Sequence, residues 1–559
     1  MSPNSLLITV CLVEFPSRRD CVQIALRLDP SVEVSHQRSK LNFQKENSCT
    51  PLKKVLESLP FTVPVPSGGL DVQIHRRVYQ TVPLRDQVIK LAQFKLMIKF
   101  GTSGWRAIIA DEFTFDAVRQ VTQAISNWII QRAPGSEVIV GYDTRFMAEI
   151  FAEEAARLIS VNGLRPLLTD RATPTPAIAF AIRARAASGG INFTASHNPP
   201  TYCGMKFSSS DGAPALPEVT QEIEHEIAKL EGKKTPSPPK DQPVESLALV
   251  ADYLNDLGKK IDLNAISKAG LRVAYDPLWG TGRGYLDKAL TGADCDVRMI
   301  HDYRDVYFGG HSPSPEAEYL HELRDVVLSD ECHLGLSTDG DADRFGIIDR
   351  DGSFVEPNQI IALLVDYLAE SRGWIDAVAR SVATTHLVDR VAERRGIKVI
   401  ETPVGFKYIG KLIDEDAISI GGEESAGLSI RGHYPEKDGI LACLLVAEMV
   451  ASRGASLREM LENTYAQVGR LVSGRIGVAL TPELQKGLAD KLSEDASEFA
   501  GRRVASVNRI DGAKFIMEDG SWILMRPSGT EPLVRVYAEA SNEQELEVLL
   551  ESGHKYILG

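Results

Sequence analysis

From residue 98 to its end the chain alternates short β-rich runs with longer helical stretches, and that rhythm leaves few ways to fold. Runs such as 138–142, 272–275 and 334–337 are apolar and rich in Val, Ile and Leu, whereas 114–131, 148–162 and 359–371 carry apolar residues at helical spacing. Elements in this order bury their apolar faces as layers, so the fold class expected is α/β. A chain of 559 residues exceeds what one hydrophobic core organises, and roughly three to five domains are expected. The Lys/Pro-rich segment 231–243 reads as a linker, the polar turn Asp351-Gly352 as a second boundary, and 468–473 as a third. Each of the first three units presents one unusual polar loop. That suggests a duplicated architecture, although no clear internal repeat is visible.

Residues 1–96 differ from the remainder. They show no sustained period, and they hold thirteen Lys/Arg against eight Asp/Glu, leaving 49 basic and 68 acidic residues after them. They read as a dispensable extension, disordered or translated from a misassigned start; initiation at Met97 would give a 463-residue protein. The acidic body lacks the basic stripe that nucleic acid requires. Seven cysteines without a C-x-x-C pair or zinc spacing point to a reducing compartment, hence the cytoplasm. The apolar stretch 6–13 lacks a basic lead and a cleavage site. The run 440–450 is far shorter than the roughly 20 residues a membrane span needs and carries Glu448, so it reads as a core helix and no membrane partner is expected.

Four loops carry chemistry. In Thr194-Ala195-Ser196-His197-Asn198-Pro199, a serine among small and turn-forming residues at a strand end is placed for nucleophilic attack; an Asn-Pro turn with an idle serine is the competing reading. Ten residues on, Lys206 is a candidate proton shuttle, provided its pKa is depressed. In Asp339-Gly340-Asp341-Ala342-Asp343-Arg344, three alternating carboxylates repel unless a hard cation such as Mg²⁺ neutralises them, whereas a solvated acidic turn would need none. An EF-hand is excluded, because Arg344 and Arg350 stand where Gly and a bidentate Glu are required. The turn Gly421-Gly422-Glu423-Glu424-Ser425-Ala426-Gly427, with Lys437-Asp438-Gly439 after it, suits adjacent sugar hydroxyls, but alone it is equally a plain polar turn. In Arg526-Pro527-Ser528-Gly529-Thr530-Glu531-Pro532, with Arg535 behind it, small residues and hydroxyls make a phosphate cradle. No P-loop occurs, and the Gly-rich stretch 280–284 misses the dinucleotide spacing and reads as a turn.

In this order, with Phe100-Gly101-Thr102-Ser103-Gly104-Trp105-Arg106 before them and Gly141-Tyr142-Asp143-Thr144-Arg145 between, the loops resemble the α-D-phosphohexomutase superfamily over residues 97–559. The resemblance implies three α/β/α domains with mixed sheets (97–238, 244–350, 351–467) and a smaller C-terminal α+β domain (468–559) around a central cleft. By the same resemblance Ser196 is the phosphoserine, and Asp339, Asp341 and Asp343 hold one Mg²⁺ with a phosphate oxygen on Ser196. Glu423 and Ser425 grip the sugar, and Arg526, Ser528, Gly529, Thr530 and Arg535 hold the non-transferring phosphate. Arg106, His197, Lys206 and Arg344 line the reacting centre.

The activity implied moves a phosphoryl group between C1 and C6 of a hexose phosphate, with a hexose 1,6-bisphosphate as activator, in a monomer or dimer. Mannose- and glucosamine-type members carry a histidine where this chain has Gly427, and Gly-Glu-Glu-Ser-Ala-Gly and Thr402-Pro403-Val404-Gly405-Phe406-Lys407 look like the phosphoglucomutase type. Lys437 is then the candidate second acid/base, with His433 as the alternative. A phosphomannomutase or dual-specificity enzyme, a metal-dependent phosphatase and an inactive sugar-phosphate sensor are the competing functions. The phosphatase lacks a His-rich dinuclear metal set, and a sensor would be expected to have lost Ser196, Lys206 or an aspartate.

Overall fold

The computed structural model describes residues 9–14, 22–27, 98–101, 104–528 and 533–559, with the backbone alone at 9–14, 22–27, 482 and 483. The chain divides into two units, 1–93 and 94–559. In the first, Thr9–Glu14 pairs antiparallel with Val22–Arg27. The other expectations for residues 1–96 fall outside the described residues.

The second unit opens with a six-stranded mixed sheet in the order Trp105–Ile108, Tyr202–Ser209, Gly189–Phe193, Glu137–Tyr142, Arg165–Thr169, Glu245–Leu247. The first two neighbouring pairs are antiparallel and the others parallel. The helix Phe115–Ile130 starts where expected, because the Thr114 side chain accepts a hydrogen bond from the Ala117 N–H, and Asp116 lies in the positive first turn. Layering follows from the period-2 strand pattern. Val138 and Val140 pack with the helices Phe115–Ile130 and Ala148–Val161, while Ile139 turns to the other face against Ile178 and Ile182 of Thr175–Ala184.

The second sheet runs Asp296–Met299, Arg272–Asp276, Leu334–Thr338, Phe345–Asp349, Phe354–Val355, and the third Lys398–Thr402, Ala377–Ser381, Ile420–Glu423, Gly427–Ile430. The first and second sheets close slightly beyond the composition breaks. After the linker the chain returns to the first sheet at Glu245–Leu247, and Asp351-Gly352 is the turn into the second sheet's last strand. Strands of two or three residues are too short to show a period. The second and third units share one core, centred on the helix Gly439–Arg453, whose residues 439–450 are all buried. Its uniform apolarity thus belongs to a core helix. No single described helix is long and apolar enough to cross a membrane.

The fourth unit is an antiparallel six-stranded sheet, Val472–Ala479, Leu533–Ala540, Trp522–Pro527, Ala513–Met517, Arg502–Asn508, Glu498–Phe499, with helices Pro482–Ser493 and Glu543–Leu558. Alternation again assigns its faces. Ile523 and Met525 enter its own core, whereas Trp522, Leu524 and Tyr537 pack on Val382 and Ala383 of the third unit.

The expected duplication is topological. In each of the first three units, two parallel strands are followed by an antiparallel return, and each loop singled out from the sequence is the hairpin connection at that return. The phosphate loop occupies the corresponding connection between Trp522–Pro527 and Leu533–Ala540.

Candidate active site

Three of these connections carry a non-glycine residue in the left-handed region: Ser196 (φ 51°), Ala342 (φ 55°) and Ala426 (φ 66°). Such backbone is uncommon outside glycine, and it persists where surroundings over-determine it. At Ser196 the surroundings are Arg145. Its guanidinium is completely buried and donates to the carbonyls of Ser196 (2.6 Å), Asn198 (2.6 Å), Pro199 (2.8 Å) and Tyr202 (3.0 Å), and to Asp143 Oδ2 (3.1 Å). One planar fork therefore threads the whole serine loop. Burial pushes the Asp143 carboxyl up to about 6 against the pull of Arg145.

Ser196 is buried, and its Oγ donates to Asp339 Oδ2 at 2.7 Å and lies 3.3 Å from His197 Nδ1. His197 is held well below the usual imidazole range by burial and then by Arg344 and Arg106, so the ring is neutral. Arg106 donates to Asn198 Oδ1 at 2.5 Å. Lys206, from the strand that returns after Ser196, places Nζ 2.6 Å from both Asp341 Oδ2 and Asp343 Oδ2. Its pKa is not depressed as the sequence reading required. Burial lowers it, but the two carboxylates outweigh burial and the net shift is upward.

Asp339, Asp341 and Asp343 are buried and bring one carboxylate oxygen each within 4.8 Å of one another. Asp339 Oδ1 accepts the backbone N–H groups of Asp343 (2.9 Å) and Arg344 (3.1 Å), and Asp341 Oδ2 also accepts the Thr175 hydroxyl at 2.5 Å. Lys437 Nζ reaches Asp343 Oδ2 at 2.8 Å from the third unit. The two lysines reach Asp341 and Asp343, Arg344 Nε lies 3.8 Å from Asp343 Oδ1, and Asp339 is held by the Ser196 hydroxyl and two backbone N–H groups. Burial, then Asp343 and Asp341, pushes its carboxyl well above the usual range. Asp341 Oδ1 and Asp343 Oδ1 are buried without a hydrogen bond. Orphaned carboxylate oxygens beside a third, repelled carboxylate fit a hard divalent cation with oxygen ligands.

In the sugar loop, Glu423 accepts the Gly405 N–H at 2.7 Å, and its carboxyl is pushed up to about 7 by burial and then by Glu424. Glu424 accepts the Ser381 hydroxyl at 2.9 Å. Ser425 lines a cavity of about 440 Å³ with Arg344, Glu424, Arg475 and Tyr537, where the second, third and fourth units meet. A Cβ at Gly427 would lie 2.9 Å from Lys437 Cδ, so a side chain there would displace the lysine stem. The lysine stem fills that space. His433 is enclosed with Nε2 2.9 Å from Asp438 Oδ2, and Asp438 caps the Gly439–Arg453 helix through Leu441 N. It buttresses the segment that delivers Lys437 and makes no contact with the carboxylates. In the fourth unit Arg526 and Arg535 are directly opposed across two paired strands, and like charges so placed repel unless an anion lies between them. Ser528 precedes the Leu533–Ala540 strand, and Gly529 and Thr530 lie outside the described residues.

Ser196, His197, Arg106, Lys206, Arg344, the three aspartates and Lys437 thus converge from three units. Sequence reasoning did not assign roles to Arg145, Thr175 or Asp438. Arg145 lay in a quoted motif, but nothing in a linear sequence marks a guanidinium as the fastening of a loop more than fifty residues away.

Family models described as phosphoglucomutase/phosphomannomutase alpha/beta/alpha domains I, II and III match residues 97–234, 251–352 and 356–468, and the C-terminal domain model matches 482–552. A phosphoglucomutase/phosphomannomutase of Thermococcus kodakarensis is 29% identical over 465 residues, covering 82% of this chain and 98% of the relative. A phosphoglucosamine/phosphogalactosamine mutase of Sulfurisphaera tokodaii is 28% identical, covering 82% and 99%. Among solved structures, a Thermus thermophilus protein provisionally named a phosphomannomutase superposes with a TM-score of 0.73 at 33% identity, covering 83% of this chain and 99% of that one. The chain belongs to the phosphoglucomutase/phosphomannomutase family and is an isomerase of the phosphohexomutase type. That family is magnesium-dependent, in keeping with the carboxylate cluster.

Arg145→Ala removes the fastening and leaves Asp143 buried without its partner. It should lower kcat by at least about a hundredfold, the scale of an ångström-sized misplacement, with KM changed much less. Steady-state kinetics measures this, and a kcat within about threefold of the parent would contradict the role.

Proposed function

We propose that the chain is a phosphoglucomutase that interconverts glucose 1-phosphate and glucose 6-phosphate through a phosphoserine at Ser196. The observation that carries the reading is the 2.7 Å contact between Ser196 Oγ and Asp339, which brings a strained, buried serine to a cluster of buried carboxylates 143 or more residues away. Asp339, Asp341 and Asp343, with a phosphoryl oxygen on Ser196, would hold one Mg²⁺, which would supply neutralisation of the phosphoryl charge.

The bond from Ser196 Oγ to phosphorus breaks as the free hydroxyl of the hexose phosphate bonds to phosphorus, giving a hexose 1,6-bisphosphate. One proton leaves that hydroxyl and one returns to Ser196 Oγ. His197, neutral and next to Oγ, and Lys206 serve the serine side, while Lys437, which arrives with the sugar loop, takes the proton of the attacking hydroxyl only from its uncharged form, against the pull of Asp343 and Glu436 that raises its pKa. Arg106 and Arg344 add positive charge around the transferring group. Glu423 and Ser425 bind sugar hydroxyls, and Arg526, Ser528, Gly529, Thr530 and Arg535 hold the phosphate that stays. The bisphosphate turns round, and its other phosphoryl returns to Ser196. The substrate is a free hexose phosphate in the cytoplasm, and hexose 1,6-bisphosphate loads the serine. Preference for glucose is supported by Gly427, whose space the Lys437 stem occupies in place of the histidine of the mannose- and glucosamine-type members.

Peptide mapping of active enzyme should find phosphate on Ser196. Ser196→Ala should lose at least about a thousandfold in turnover, as loss of a covalent nucleophile does, yet still bind glucose 6-phosphate. Turnover near the parent's, with label on another residue or on none, would refute the mechanism.

At equal concentrations and with a trace of bisphosphate, kcat/KM for glucose 1-phosphate should exceed that for mannose 1-phosphate and glucosamine 1-phosphate by about tenfold, the scale a hydroxyl-reading pocket achieves at the least. A value for either competitor equal to or above glucose 1-phosphate would overturn the substrate assignment.

A further inference from the structure

The fourth unit meets the third along a polar seam that the function above does not use. Lys514, fully enclosed, donates to the Val382 carbonyl at 2.8 Å, and Asn508 donates to Glu401. Glu539 accepts the His386 N–H at 3.0 Å and Trp522 Nε1 at 2.8 Å. At one end of this seam stands Asp511, in the turn before the Ala513–Met517 strand. Its Oδ2 accepts both Arg526 Nε at 2.7 Å and the backbone N–H of Val404 at 3.1 Å.

The next peptide along points elsewhere. Gly405 N–H donates to Glu423 Oε1 at 2.7 Å. Two consecutive N–H groups of one segment therefore hold two carboxylates, one fastening the phosphate-loop arginine and the other belonging to the sugar loop. The turn that lets them diverge has Gly405 at φ 127°, a conformation that side chains disfavour. Arg526 is also the arginine opposed to Arg535, so Asp511 supplies a counter-charge on one side of a repelling pair. A charge-assisted bond to Nε fixes the guanidinium plane, and that plane sets the direction of a bidentate phosphate contact.

We infer that Asp511 is a positioning residue that couples phosphate recognition to sugar recognition, holding Arg526 and the Val404-Gly405 peptide in one register so that the phosphate loop and Glu423 are set together. The inference rests on the assignment of Arg526 to phosphate and Glu423 to sugar above. Coupling of this kind suits a reaction in which a bisphosphate must be held in two opposite orientations by the same pair of loops.

A double-mutant cycle on the Mg²⁺-loaded enzyme tests it, with kcat and KM for glucose 1-phosphate measured for Asp511→Ala, Glu423→Gln and the double variant. Asp511→Ala should lower kcat/KM about tenfold, mostly through KM. The double variant should lose at least about fivefold less than the product of the single losses, the range seen for residues in one network. Asp511→Asn, which keeps an acceptor for Val404 but not the charge, should fall between parent and alanine; should the alanine variant fail to fold, the asparagine variant completes the same cycle. Multiplicative losses, or an Asp511 variant with unchanged kcat/KM, overturn the coupling while leaving the site assignment intact. A Glu423→Gln variant with undiminished kcat/KM overturns the assignment of the sugar loop itself, and the coupling with it.

Discussion

Three carboxylates that are almost completely shielded from water have to be balanced, and the groups that balance them come from three units of the chain. Lys206 arrives from the first, the aspartates from the second and Lys437 from the third. An isolated buried charge is untenable, so the catalytic surface exists only when these units are docked. The shared core of the second and third units serves the same end. It holds the Gly439–Arg453 helix against the metal loop, and Asp438, at the start of that helix, is tied in turn to His433 and Tyr253. Remote hydrophobic packing and local electrostatics are thereby one arrangement. At Asp339, the carboxylate on which Ser196 rests, burial and the two neighbouring carboxylates outweigh the pull of Arg344 and push the carboxyl well above the usual range.

The fourth unit is held differently. It has its own core and meets the third unit through a small apolar patch and a polar seam. Its seam buries Lys514 and Glu539 against Val382, Thr385 and His386, which holds the fourth unit in register with the third.

The loops were legible because phosphate, sugar and metal chemistry each demand unusual residues in a short stretch, and the long helices because their apolar period runs for several turns. The helix at Phe115–Ile130 even begins at the residue whose side chain caps it. What escaped was long-range and polar. The charge state of Lys206 depends on two aspartates more than 130 residues away, and burial alone would have sent its pKa the other way. Thr175 gives no sign in sequence that it supports Asp341, and the choice between Lys437 and His433 rests on which of two near neighbours turns toward Asp343. Edge strands of two or three residues carry no period, so the sheets close a little beyond the breaks in composition.

On the proposed function, the aspartate cluster is incomplete without a divalent cation. A ligand that binds only the folded state raises stability in proportion to the logarithm of its concentration over its Kd. Thermal melting of the parent and of Asp341→Asn across a Mg²⁺ titration measures this directly. The parent's Tm should climb with Mg²⁺, and the rise in the variant should be much smaller or need at least about tenfold more Mg²⁺. Equal climbs in the two proteins, at the same concentrations, would contradict it.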